Sequence, residues 1–157
     1  KNKSLKVYNM GVDPNNAYWK ELYDSYGDQM NIIHFTPDKK FIQSFWNNVG
    51  VNCITGIYEP FGYTICETLD RGVPAIVQNI DGPKEIIDEV KDSVFMYNVD
   101  KDINKDIANF SEALKKFLET PAKVREDMAK QARSALNKLH PTVIQKEWID
   151  LFEKIIY

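Results

Sequence analysis

Along the first hundred residues, short β-rich runs alternate with helical patterns, and the stretches between them are short. Strict alternation of this kind leaves little choice of architecture: the strands lie parallel and the helices return the chain by right-handed crossovers. Residues 5–10 read as a strand, closed by Gly11 and the Asp13-Pro14-Asn15-Asn16 turn cluster. Tyr18, Trp19, Leu22, Tyr23 and Tyr26 then recur at helical spacing up to Gly27. Residues 30–35 form the second strand pattern. Thr36-Pro37-Asp38 opens another helix, with Phe41, Ile42, Phe45, Trp46 and Val49 as its apolar stripe and Gly50 as its stop. Strands are expected at 51–55, 74–80 and 94–99, and helices at about 61–71, ended by Gly72, and at 83–90. From about residue 103 to 157 only helical patterns remain, broken by Pro121 and Pro141. The expectation is an α/β chain: an open parallel sheet of about five to six strands with flanking helices over about 1–102, then an all-helical C-terminal tail over about 103–157.

Composition narrows the function classes. A length of 157 residues corresponds to one domain, and 43% hydrophobic residues are enough for a real core. Twenty Lys and Arg against 23 Asp and Glu give a net charge of -3, which argues against a general nucleic-acid binder needing a basic excess. Two cysteines and two histidines are too few for a disulfide framework or a zinc site. No window approaches 18 apolar residues, and residues 1–4 carry no signal-peptide core. A cytoplasmic chain is expected. Its start at Lys1, without Met, points to a piece of a larger protein.

In an open parallel sheet, ligands bind beyond the C-terminal ends of the strands, where loops lead into helix N-termini. The loops at those positions are 11–16, 35–38, 55–61 and 80–83. The third is the most informative: Thr55-Gly56-Ile57-Tyr58-Glu59-Pro60-Phe61-Gly62-Tyr63-Thr64-Ile65-Cys66-Glu67. A proline near a helix start gives up only an N–H that would be orphaned there. Gly62 allows close approach of a ligand to the backbone, and the amides near Gly62, Tyr63 and Thr64 offer an anion site at the positive helix end. Glu59 stands beside that site, and Glu67 shares a helix face with Tyr63 and Thr64. Two carboxylates around an anion site suit a ligand that also presents hydroxyls, as a nucleotide-sugar does. The plainer alternative is Glu-Pro as ordinary helix-start chemistry, with Glu67 a solvated helix residue.

Glu59-Pro60-Phe61-Gly62 through Glu67 resembles the E-x7-E motif of retaining glycosyltransferases of the GT-B fold, family 4 and glycogen-synthase relatives. Arg71-Gly72-Val73-Pro74-Ala75-Ile76-Val77 resembles the family's Gly-x-Pro strand. Asp81-Gly82-Pro83-Lys84-Glu85 resembles its Gly-Gly-x-x-Glu loop, with Asp81 in place of the first glycine. The resemblance implies a single Rossmann-like, nucleotide-sugar-binding domain over 1–157, with the N-terminal acceptor domain absent from this chain. It implies that Glu59, the catalytic candidate, holds donor-sugar hydroxyls rather than acting as a general acid. Backbone groups at Phe61, Gly62, Tyr63 and Thr64 would meet the sugar and diphosphate, and Glu67 the ribose. The base would lie at Phe35, Thr36 and Pro37, with Gly11 a weaker candidate near the family's glycine-containing turn. The donor would be a UDP- or GDP-type sugar, with no metal and no further cofactor. The fragment alone would be inactive. Any peripheral membrane association would belong to the missing half.

Departures from the family pattern are also legible. The Arg and Lys pair that usually neutralises the diphosphate lies upstream of the first strand, where Lys1, Lys3 and Lys6 have the wrong spacing. Thr68-Leu69-Asp70 replaces the usual small-residue run. Cys53 and Cys66 read as small buried hydrophobes, and Trp19, Trp46 and Trp148 as core side chains. His34 reads as a structural histidine and His140 as a helix-end residue. The competing functions are a stand-alone nucleotide-sugar-binding module without catalysis and a sugar-nucleotide epimerase of similar fold. A nicotinamide enzyme is disfavoured, because no Gly-x-Gly-x-x-Gly follows the first strand.

Overall fold

The structure is a computed structural model that describes residues 6–156 except Pro14, Phe35 and Ile57. The chain divides into two compact units, Lys1–Asn47 and Asn48–Tyr157. In the first, strands β1 (Val7–Val12) and β2 (Met30–His34) pair in parallel, and helices α1 (Ala17–Tyr26) and α2 (Lys39–Trp46) follow them. Gly11 does not simply close β1. The register shifts between Met10 and Val12, and Gly11 takes φ +83°, so it is a β-bulge within the strand. Asn16 and Asp38 cap the two helices, accepting from the amides of Tyr18 and of Lys40 and Phe41. Helix α2 stops at Trp46, before the Gly50 stop, because Asn47 and Asn48 are poor helix formers. The Tyr8 and Phe45 rings meet edge to face at 5.7 Å, joining β1 to α2.

The second unit holds β3 (Asn52–Ile54), β4 (Ala75–Gln78) and β5 (Phe95–Tyr97) in a parallel sheet of order β3-β4-β5. Its helices are α3 (Tyr63–Asp70), α4 (Asp81–Val90), α5 (Ile103–Glu119), α6 (Ala122–Ala135) and α7 (Pro141–Ile156). Alternation along β4 sends its side chains to opposite faces. Ala75 and Val77 pack with Ile65 and Leu69 of α3, Ile86, Ile87 and Val90 of α4, and Ala132 of α6. Ile76 packs on the other face with Phe95, Tyr97, Ala113 and Phe117. The central strand is buried on both sides, as parallel strands require.

The α/β class, the parallel strands and the helical tail are as the alternation predicts, with two further differences. The described residues contain five strands, the lower end of the expected range, and these fall into a two-stranded and a three-stranded sheet. Helix α4 begins at Asp81, two residues ahead of Pro83. The proline fits because its missing N–H is among those a first helical turn leaves unbonded. In the tail, Pro121 and Pro141 stand at the starts of α6 and α7. No helix among the described residues is long and apolar enough to cross a membrane.

Candidate functional site

The site is built on the segment between β3 and α3. Gly62 is the N-cap of α3 and takes φ +103° and ψ 45°, a left-handed conformation that only glycine adopts cheaply. Its carbonyl accepts from Ile65 N at 2.9 Å and Cys66 N at 3.3 Å, so the helix is hydrogen-bonded from its first turn. Gly62 is buried against Ile65 and Ile86: a Cβ there would lie 2.9 Å from Ile65 Cδ1. The missing side chain therefore serves both conformation and packing.

Half-buried Glu59 folds back over its own loop. Its Oε1 accepts from the Gly62 amide at 2.9 Å and the Phe61 amide at 3.3 Å. The amides of Gly62, Tyr63 and Thr64 expected as an anion site, with that of Phe61 added by the family resemblance, thus fall into two pairs. Those of Phe61 and Gly62 are occupied by Glu59. Those of Tyr63 and Thr64 have no partner among the described residues and face out of the helix end.

Glu67 is exposed, one turn along α3 on the face shared by Tyr63 and Thr64. The Tyr63 side chain is 74% exposed and its ring lies 4.9 Å from that of Phe61, so two aromatic rings flank the helix end. Thr68, which departs from the small-residue pattern, is fully buried. Its hydroxyl donates to Thr64 O at 2.6 Å and accepts from Asn52 Nδ2 at 2.7 Å, tying α3 to β3. Motif spacing does not reveal this Asn52–Thr68 contact.

Two further contacts hold the loop. Buried Gln78, at the end of β4, donates from Nε2 to Gly56 O. Gly82, in the first turn of α4, abuts the backbone of Glu59 and Pro60 so closely that a Cβ there has no room. The segments 59–67 and 81–85, separate in sequence, are therefore in direct contact. Glu59, Phe61, Gly62, Tyr63, Thr64 and Glu67 are gathered at one helix end. Thr36 and Pro37 belong to the other unit, where Thr36 Oγ1 accepts from Asp38 N at 3.2 Å, and Phe35 lies outside the described residues.

The side chains set aside in the sequence divide by place. Trp46 is buried, but Trp148 is 54% exposed and stacks on Phe152 at 5.6 Å, so it is not a core residue of this chain. Desolvation pushes the Cys53 thiol up to about 11 and raises that of Cys66 as well. Cys53, on an end strand of the three-stranded sheet, is nevertheless exposed and Cys66 half-buried, so Cys53 is not the buried hydrophobe its strand setting suggests. Among the described residues, no three His, Cys, Asp or Glu side chains gather as metal ligands would.

Parallel strands flanked by helices, with a helical C-terminal tail, define a Rossmann-like α/β domain. The chain belongs to the family Glycosyl transferases group 1, whose sequence model matches residues 2–135. The match ends at the last residue of α6, so α7 lies beyond it. Among solved structures, the chain is similar to the C-terminal domain of the glycosyl transferase group 1 family protein LpcC from Francisella tularensis. That similarity has a TM-score of 0.61 at 20% identity and covers 80% of this chain and 64% of that one, so this chain spans less than two thirds of its length. No curated protein gives a significant match.

Proposed function

We propose that this chain is the donor-binding half of a retaining glycosyltransferase, which moves a hexosyl group from a UDP- or GDP-type sugar to an acceptor held by another domain. The observation that carries the reading is the glycine-capped end of α3, where the Tyr63 and Thr64 amides are open and Glu59 and Glu67 stand eight residues apart. In this reading the diphosphate is held by those amides and by the helix dipole, which stabilise the charge that grows as the diphosphate departs. Glu59 turns from its own loop amides to hydroxyls of the donor sugar and fixes the sugar's orientation. Its release leaves the Phe61 and Gly62 amides free for the ligand, so one carboxylate and the incoming anion exchange places. Glu67 accepts from the ribose hydroxyls. The resemblance to the family assigns the base to Thr36 and Pro37. Loss of a diphosphate needs little protonation, which makes Glu59 a positioning carboxylate and not a general acid.

The test is titration of the labelled chain with UDP, GDP and ADP while amide NMR shifts are followed. Shifts centred on 59–67, with a second set at 36–37, are expected. Shifts confined to regions remote from both would overturn the placement.

A further inference from the structure

We propose that Gln78 is a positioning residue for the Glu59 loop, acting through the carbonyl of Gly56; this rests on the donor-site reading above. Gln78 is the last residue of β4 and is fully buried, by alternation on the sheet face shared with Ile76 rather than the face covered by α3. Its amide nevertheless reaches beyond the end of β3, where Nε2 donates to Gly56 O. The other half of the amide is buried, and Oε1 has no hydrogen-bond partner among the described residues.

A buried acceptor without a partner is costly, and a methionine would fill nearly the same volume without that cost. What glutamine supplies and methionine lacks is the N–H on Gly56. Gly56 lies three residues before Glu59, and the loop's other end is held where Gly82 meets Pro60. Gln78 thus fixes the near end of the segment 56–60 and Gly82 the far end. Glu59 is carried between two fixed points, which restricts where its carboxylate can reach.

The proposal is tested on the 157-residue chain with Q78M and Q78E. Methionine keeps the volume and removes the donor. Neutral glutamic acid restores an O–H donor toward Gly56, and its ionised form sets a negative charge against that carbonyl. In Q78M, hydrogen exchange at the Phe61 and Gly62 amides should speed up by about tenfold while exchange in β4 and α5 stays unchanged. In Q78E, protection at those two amides should return toward wild type at low pH and be lost as pH rises. Affinity for UDP-glucose or GDP-mannose as probes should fall in Q78M by more than affinity for UDP or GDP alone. Unchanged protection at Phe61 and Gly62 in both variants, or protection lost uniformly across the unit, assigns Gln78 to packing and overturns the proposal. If the wild-type chain binds none of the four probes, the donor-site reading fails, and the exchange measurements still decide the role of Gln78.

Discussion

Gly82 stands where the backbone of Pro60 occupies the space that a Cβ would fill. This one approach joins the loop before α3 to the first turn of α4, and so brings together two segments about twenty residues apart in sequence.

The contact sets the first expectation. Gly82→Ala forces backbone against backbone, with no flexible side chain to yield, and should cost about 1–3 kcal/mol. Urea unfolding gives the magnitude, and amide shifts at 59–62 should accompany it. A variant of wild-type stability with unmoved loop amides would contradict the contact.

Glu59 has a structural part before any ligand arrives, because it caps Phe61 and Gly62. Glu59→Gln keeps a side-chain oxygen for those amides and should change stability by less than about 0.5 kcal/mol. Glu59→Ala removes the cap and should cost about 0.5–2 kcal/mol. Both variants should bind UDP-glucose or GDP-mannose no better than the corresponding free nucleotide. The comparison of unfolding curves and of sugar discrimination separates the two roles.

Glu67 is exposed on α3, so Glu67→Ala should leave stability within about 0.5 kcal/mol of wild type. Affinity for UDP or GDP should nevertheless fall by roughly tenfold, the size of a lost charged hydrogen bond. Equal losses for free nucleotide in Glu67→Ala and Glu59→Gln would refute the division between ribose and sugar.

The cysteines give a pH expectation. A thiol raised to about 11 holds little thiolate near pH 8, and the fraction grows as pH rises toward that value. Alkylation of Cys53 by iodoacetamide at pH 8 should be roughly ten- to a hundredfold slower than that of a free cysteine and should accelerate above pH 10. Fast labelling at pH 8 would show that the thiol is not desolvated.

Much of the fold is legible residue by residue. The stripe Phe41, Ile42, Phe45 and Trp46 marks α2, and Asp38 is its cap. Pro121 and Pro141 mark two helix starts in the tail. These signals are local, since a proline ring or a capping carboxylate acts within one turn. The misreadings involve partners distant in sequence. Trp148 lies on an apolar helix stripe, but a stripe does not say whether another element covers it, and here the ring is half in water. Gly11 reads as a strand end because a bulge needs the opposite strand to define it.

The same division holds at the site. By itself the sequence determined the order of parallel strands and crossovers, the glycine before α3, and the eight-residue spacing of Glu59 and Glu67, because each depends on a period or a neighbour along the chain. Only the tertiary structure decided that Gln78 holds Gly56 and that Gly82 meets Pro60. Those relations depend on how the end of β3 sits against β4 and α4. Packing at such close quarters is fixed by distances of a few tenths of an ångström, which no one-dimensional pattern records.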